Sequence, residues 1–154
     1  MRVEEALRKA GFENEIVALD ATARSAKEAA DSLGVEVAQI VKSLVFVGRE
    51  SETPILVVAS GDNRVDEAKV EAHAGEGVER ADAKFVKSRT GFSIGGVPPL
   101  AHAEDIKTFV DEDLFRHREV WAAAGHTHAV FALSPDELAK MTGGEVISVK
   151  PEAA

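Results

Sequence analysis

The sequence contains no cysteine. The chain therefore cannot form disulfides, thiolate nucleophiles, zinc–thiolate sites or iron–sulfur clusters. It also lacks an uninterrupted apolar run of about 18 residues, the length that a membrane-spanning helix needs. Its first residues carry acids and lack the apolar stretch of a signal peptide. We therefore expect a cytoplasmic protein that does not associate with a membrane.

Basic residues are also in short supply. The 154 residues include 18 Lys and Arg against 27 Asp and Glu, which gives a net charge of -9. Proteins that bind nucleic acid generally present a surplus of cations to the phosphates. The balance predicts that the protein does not bind DNA. An acidic protein can still hold a few nucleotides through a local basic patch, with an affinity that falls steeply as salt is added.

The residues that are present predict one α/β domain, of the α+β type, over 1–154, because 45% of the residues are hydrophobic and no linker or repeat interrupts them. We expect a mixed, mostly antiparallel central sheet flanked by helices. Periodicity and end signals predict five helices. The first covers 2–11, the second runs from a cap at Thr22 or Ser25 to residue 33, and the third covers 65–74 and begins near Asp62 or Asn63. The fourth covers 81–89, and the fifth follows Ser134. They predict strands over 16–19, 43–47, 55–59, 106–110, 119–123, 128–133 and 145–149, with 92–94 short and extended.

Lys42 is the first candidate for chemistry. It stands between Ile40-Val41 and the apolar strand 43–47. A lysine there either reaches the surface, with its stem packed and its ammonium in water, or points into a cavity. The local sequence leaves both alternatives open.

The segment Gly95-Gly96-Val97-Pro98-Pro99 is the second candidate. Glycine lets the backbone approach a ligand closely, and the two prolines stiffen the end of the segment. The N–H groups of Gly95, Gly96 or Val97 could stabilise a carbonyl oxygen on which negative charge builds. An ordinary tight turn is the alternative, since Gly and Pro are above all turn residues.

The histidines and Asp62 offer weaker signals. His126 and His128 alternate as metal ligands on a strand can, but no third ligand stands at a useful spacing, so we expect no metal and no cofactor. Hydrogen bonding suits His102 and His128 better, although an unremarkable surface or core position is also open. Asp62 follows a buried strand, where it could serve the site or cap a helix.

Three basic residues share a predicted helical face. Arg80, Lys84 and Lys87 follow i, i+4, i+7 spacing. A solvated face explains such a pattern, but on an acidic protein it is also where a phosphate backbone would dock.

Taken together, these segments resemble the YbaK/ProX family of aminoacyl-tRNA deacylases, whose fold also forms the editing domain of bacterial prolyl-tRNA synthetases. The resemblance covers roughly 15–148, almost the whole chain. It rests on five stretches: Ala29-Ala30-Asp31-Ser32-Leu33-Gly34, Gln39-Ile40-Val41-Lys42-Ser43-Leu44-Val45-Phe46, Val57-Val58-Ala59-Ser60-Gly61-Asp62, Thr90-Gly91-Phe92-Ser93-Ile94-Gly95-Gly96-Val97-Pro98-Pro99 and Trp121-Ala122-Ala123-Ala124-Gly125.

The resemblance implies a metal-independent hydrolase that acts in trans on the ester of a mischarged tRNA. The essential lysine of the family falls on Lys42, and its G-x-x-x-P loop falls on Gly95 to Pro99. Lys42 would then act as a cation that holds the ester or the terminal nucleotide, while the amides of Gly95 and Gly96 stabilise the oxyanion. The residues expected to bind substrate are Ser43, Asp62, Val97, Pro98, Pro99, His102, Gly125 and His128.

The sequence departs from the family in ways that concern the amino acid removed. The branch that removes cysteine tends to carry an acid where Val130 stands, and Ser43 replaces the Thr or Asn of other members. A small amino acid such as Ala, Ser or Cys, carried by tRNA-Pro or a related tRNA, fits the resemblance. A synthetase partner is left open. The alternative function is a non-catalytic module that binds tRNA 3′ ends or a synthetase.

Overall fold

The structure is a computed structural model that describes residues 3–19 and 25–152; Thr22, one of the two predicted helix caps, lies outside them. Its helices are α1 (Val3–Lys9), α2 (Ala26–Leu33), α3 (Glu67–Ala74), α4 (Ala83–Thr90) and α5 (Pro135–Thr142), with 3₁₀ helices at Val37–Gln39 and Glu112–Arg116. Its strands are β1 (Ile16–Ala18), β2 (Val41–Gly48), β3 (Pro54–Ser60), β4 (Val78–Arg80), β5 (Lys107–Asp111), β6 (Val120–His126), β7 (Ala129–Leu133) and β8 (Glu145–Ile147).

The strands form two sheets. The larger has the order β4-β2-β3-β5-β8, in which β4, β2 and β3 are antiparallel and β3, β5 and β8 are parallel. The smaller is antiparallel with the order β1-β7-β6. A single bridge between Ile40 and Trp121 joins the start of β2 to β6. The α/β class and the mixed pairing are confirmed, whereas the single central sheet becomes two layers.

The main core fills the space between the two sheets. Leu56 and Val58 of β3 pack there against Ala122 of β6 and Phe131 of β7. The outer face of the larger sheet is covered by α3, through Val70. A strand that is apolar on both faces fits either one sheet between two helical layers or two stacked sheets. That ambiguity explains why the sequence did not separate the two sheets.

The capping signals placed two helices correctly. The hydroxyl of Ser25 accepts from the amide of Glu28 and begins α2. Ser134 and Glu137 form a reciprocal capping box at the start of α5, with Pro135 in the first turn. These local bonds satisfy amides that the helix itself leaves open.

Two local predictions need correction, and one strand was missed. Helix α3 begins at Glu67, after the cap Asp66, because the side chains of Asp62 and Asn63 are engaged elsewhere. The three-residue strand β4 was not predicted, since it is too short to show periodicity. Residues 92–94 belong to a bend and turn rather than an extended segment, and the amide of Gly96 closes that turn on the carbonyl of Ser93 at 3.0 Å.

Candidate active site

A cavity of about 230 Å³ lies where the two sheets meet under α2. Most of its wall is apolar, with a few polar side chains from β2 and from the turn after β6. The lining residues are Leu19, Ser25, Ala26, Ala29, Ile40, Val41, Lys42, Ser43, Leu44, Ile94, Gly95, Trp121, Ala123, Thr127 and Val130. The size suits a small organic group rather than a large cofactor.

The cavity has backbone polar groups because half of β2 has an open edge. β3 pairs with β2 along Val41–Val47, but β4 reaches only Phe46–Gly48 on the other side. On that outer edge the carbonyl of Val45 accepts from the amide of Ala81. Residues two apart point their backbone groups the same way, so the N–H and C=O of Ser43 face the open edge at the cavity.

The ammonium of Lys42 is anchored beside this edge. The side chain is partly buried, and Nζ donates to the main-chain carbonyl of Asn63 at 2.5 Å. Burial lowers the pKa of Lys42, the charges of Asp62 and Asp111 oppose that shift, and the charge of Arg80 adds to it. An ammonium has three N–H donors, so one bond to Asn63 leaves two for a ligand.

Gly95 brings the loop to the same cavity. Its φ is +89°, and a Cβ on it would stand 3.0 Å from Cγ2 of Thr127. An L-side chain is disfavoured at that φ and the space beside it is taken, so this position favours glycine twice over. Lys42 and Gly95, which the sequence singled out separately, therefore line one cavity.

Gly96 has a different place. Its amide is used by the turn to Ser93, and a Cβ on it would stand 2.9 Å from the backbone nitrogen of His126. Gly96 therefore permits close packing of the loop on β6. Of the two glycines, Gly95 lines the cavity, and a role of either amide in binding substrate stays a prediction.

The rest of the loop packs into the protein interior. Val97 lies in the core between the sheets, and Pro98 and Pro99 are buried. Nε2 of His102 stands 2.6 Å from the carbonyl of Pro98, while burial lowers the pKa of His102 and that hydrogen bond opposes the shift. His102 and Pro99 line a separate open groove, so the structure places His102 behind the loop and away from Lys42.

Three further predicted residues surround the cavity without lining it. Asp62 is exposed, and its Oδ1 accepts from the hydroxyl of Ser60 at 2.9 Å. Gly125 has φ +95° and packs against Phe92 and Val3. The amide of His128 donates to Nδ1 of His126, and its carbonyl accepts from the amide of Leu19.

Sequence reasoning missed several cavity residues. Trp121, Thr127 and the α2 residues Ala26 and Ala29 were not predicted as site residues, although Trp121 and Ala29 stand in stretches that carry the resemblance. Ser43 Oγ and Trp121 Nε1 are buried and find no hydrogen-bond partner among the described residues. Such orphaned polar atoms beside a cavity are unusual in a folded protein.

The prediction that Arg80, Lys84 and Lys87 share a helical face is wrong for Arg80, which precedes α4 and lies on β4. Arg80, on β4, packs its guanidinium 5.7 Å from the ring centre of Phe46 and lines a small pocket with Ser43 and Ile94. Lys84 and Lys87 are exposed on α4. Arg80 is thus the member of the three that lies beside the site.

Within 3–19 and 25–152, no three His, Asp or Glu side chains are grouped to hold a metal ion. Within those same ranges, no helix has the length and apolarity to cross a membrane.

The two-sheet α/β fold places a lysine and a glycine-containing loop at one small cavity. Comparison with known families agrees with the family that the sequence resembles. Residues 20–141 match the family model of the aminoacyl-tRNA editing domain. The chain belongs to this family. The resemblance carried by the Lys42 and Gly95–Pro99 segments is confirmed.

Individual proteins extend the comparison. A crystal structure of a protein proposed to be a trans-editing enzyme for prolyl tRNA synthetase superimposes with a TM-score of 0.94 at 44% identity, covering 98% of this chain and 96% of that one. The uncharacterized protein YwhH of Bacillus subtilis is 32% identical over 134 residues, 87% of this chain and 85% of its own. EbsC of Enterococcus faecalis, proposed to be a Cys-tRNA(Pro)/Cys-tRNA(Cys) deacylase, is 28% identical over 126 residues, 81% of this chain and 76% of its own.

Proposed function

We propose that the protein is a metal-independent trans-editing hydrolase that cleaves the ester of a mischarged aminoacyl-tRNA in the cytoplasm. The single observation that carries this proposal is that Lys42 and Gly95 line the same cavity. The membership in the editing family supports the reaction class. The substrate is a small amino acid esterified to tRNA-Pro or a related tRNA, as the neighbour proposed to edit for prolyl tRNA synthetase suggests.

The cavity supports a small amino acid. Its volume of about 230 Å³ leaves room for a short side chain, with the ester carbonyl beside Lys42 and Gly95. Ile40, Trp121 and Val130 form an apolar wall that offers no charged partner for a polar side chain. A pocket of this kind rejects larger residues by exclusion, which is how editing sites discriminate.

The reaction needs little from acid or base side chains. A water molecule attacks the ester carbonyl carbon, and the electron pair of the C=O moves onto its oxygen. The amide of Gly95 and the ammonium of Lys42 stabilise that oxyanion. Collapse expels the ribose oxygen, which takes the proton of the nucleophile; the products are the free amino acid and the tRNA 3′ end.

Lys42 acts in this proposal as a cation. Burial lowers the pKa of Lys42, the charges of Asp62 and Asp111 oppose that shift, and the charge of Arg80 adds to it. A general base would have to be neutral, which those carboxylates disfavour. The ammonium therefore binds the ester carbonyl or the terminal phosphate and ribose.

The tRNA approaches over the basic face. Arg80 lies beside the cavity, and Lys84 and Lys87 continue on α4. On a chain of net charge -9, these side chains supply the local attraction that the phosphates need. Ser43 completes the site with its open-edge backbone groups, and Asp62 contributes through its charge. A synthetase that presents the charged tRNA is a compatible partner.

The test is a panel of tRNA-Pro charged with Ala, Ser, Cys or Pro, with ester loss followed over time. We expect hydrolysis of at least one small mischarged species and sparing of the proline ester. Lys42→Ala should lower the rate by about 10²–10³, the usual cost of one oxyanion contact. Lys140→Ala, which removes an exposed lysine from α5, is the matched control. Binding of charged tRNA without turnover would favour the non-catalytic module instead.

A further inference from the structure

Two buried carboxylates that do not line the cavity are linked to Lys42 through Asn63. Asp111, the last residue of β5, is fully buried, and Asp113 is 9% exposed. Oδ2 of Asp111 accepts from the amide of Ser60 at 2.9 Å and from Nδ2 of Asn63 at 2.8 Å. Its Oδ1 accepts from the amide of Asp113 at 2.9 Å. The end of β5 thus binds the loop that comes after β3.

Asn63 connects these carboxylates to the lysine. Its side-chain nitrogen donates to Oδ2 of Asp111 and, at 2.9 Å, to Oδ2 of Asp113. Its main-chain carbonyl accepts from Nζ of Lys42. Asn63 therefore bonds to the two carboxylates through its side chain and to Lys42 through its main-chain carbonyl. The position of that carbonyl depends on the hydrogen bonds between the Asn63 side chain and the carboxylates.

The two carboxylates differ in their ion pairs. Asp113 contacts Arg116 at 3.3 Å and Lys150 at 3.2 Å. Asp111 forms no ion pair with any residue that the structure describes. A buried carboxylate without a cation is costly, and its retention calls for a compensating role. Its charge reaches Lys42: burial lowers the pKa of Lys42, the charges of Asp62 and Asp111 oppose that shift, and Arg80 adds to it.

We propose that Asp111 is a positioning residue: by accepting a hydrogen bond from the Asn63 side chain, it fixes the main-chain carbonyl that accepts from the Lys42 ammonium. This inference rests on the proposed function, in which that ammonium faces the ester. Asp111 does not touch the substrate and acts only through Asn63 and through its charge.

The alternative is a purely structural carboxylate, since Oδ1 of Asp111 also caps the 3₁₀ helix Glu112–Arg116. The two oxygens allow the roles to be separated. Asn63→Ala removes the grip on Oδ2 while the cap on Oδ1 and the carbonyl at position 63 both stay. Asp111→Asn removes the charge. Glu112→Gln removes an exposed negative charge one residue away and serves as the control.

The test measures the reactivity of the Lys42 amine, which does not depend on turnover. Each folded variant is pulse-labelled with an amine acylating reagent across a pH series, and Lys42 acylation is read by mass spectrometry. We expect Asp111→Asn to move the Lys42 titration to lower pH and Asn63→Ala to raise its labelling at fixed pH, with Glu112→Gln matching the wild type. A Lys42 profile unchanged in both variants would overturn the proposal.

Hydrolysis of charged tRNA by the same variants gives the second readout. We expect the maximal rate of Asn63→Ala to fall by about 10-fold to 100-fold, as a small misplacement of a binding group can cause, with little change in tRNA affinity. Rates that match the wild type would also overturn the proposal. If the wild type hydrolyses no ester, the proposed function fails, whereas the labelling result still decides the role of Asp111.

Discussion

Gly95 and Thr127 face each other so closely that a Cβ on the glycine would stand 3.0 Å from Cγ2 of the threonine. The loop and the turn after β6 therefore meet at the cavity with no room for another carbon atom. Because Gly95 also has φ +89°, conformation and contact act on the same residue.

We expect Gly95→Ala to reduce hydrolysis by about 10²–10³, because the strained loop moves its amide away from the oxyanion. The left-handed conformation itself costs about 1–2 kcal/mol in stability. Gly75→Ala is the matched control, since Gly75 has φ +78° with nothing within 4 Å of a Cβ. It should show the stability cost alone. Adding Thr127→Ser to Gly95→Ala removes the close methyl group and should restore part of the rate; no recovery would argue against the contact.

The pH dependence of hydrolysis tests the charge on Lys42. Burial lowers its pKa below 10.5, and activity that needs the ammonium should fall as the pH rises through that lowered pKa. Lys42→Arg keeps a cation that does not titrate in this range, so its residual activity should lack the alkaline decline. The measurement is the initial rate against pH, corrected for spontaneous ester loss. A rate that instead rises through the same range would indicate a general base.

In the proposed function, the side chain of Val130 limits the size of the amino acid that the cavity accepts. Val130→Ala should let the enzyme hydrolyse tRNA charged with larger amino acids, since each methylene in a pocket changes discrimination by about 1–3 kcal/mol. Val17→Ala is a suitable control, because Val17 pairs with Val130 across β1 and β7 but is 39% exposed and does not line the cavity. The readout is the ratio of rates on two charged tRNAs, and an unchanged ratio would remove Val130 from the selection.

Salt dependence tests the basic face. Neutralising Arg80, Lys84 and Lys87 to Gln should weaken tRNA binding and flatten the plot of log affinity against log salt by about 0.7–0.9 per lost phosphate contact. Of the three, Arg80→Gln should also lower the rate, because it lies beside the cavity. Lys140→Gln should change neither. A slope that stays the same in the triple variant rejects this docking surface.

His102 should make stability depend on pH. Burial lowers its pKa below 6.5, so the unfolded state binds a proton that the folded state resists. The free energy of unfolding therefore falls as the pH drops from about 7 through that lowered pKa. His102→Gln should remove this part of the dependence in denaturant titrations at pH 5 and pH 8. An identical loss of stability in the variant would place the titration elsewhere.

Much of the fold could be predicted from the sequence because the signals are local. The caps at Ser25 and Ser134 and the apolar runs of β2 and β3 require only neighbouring residues. The division into two sheets could not be predicted, because it depends on which apolar faces stack.

The candidate site divides in the same way. Lys42 and Gly95 carry local signals, and the resemblance places them in one site. Trp121 and Thr127 reach the cavity through the pairing of β6 with β7, and the residue types near them in the chain do not by themselves indicate a site. The separation of Gly95 from Gly96 depends on one hydrogen bond to Ser93, which composition cannot show.

That hydrogen bond has a consequence for how the enzyme would work. Because the hydrogen bond between Ser93 and Gly96 closes the turn within the chain itself, the Gly95 amide that the proposed function uses is held without a contact from the ester. Little reorganisation energy is then spent during the reaction, and a lid motion is not needed to assemble the donor. Such a preorganised cradle suits an enzyme that must inspect many charged tRNAs briefly and act only on the few whose amino acid fits.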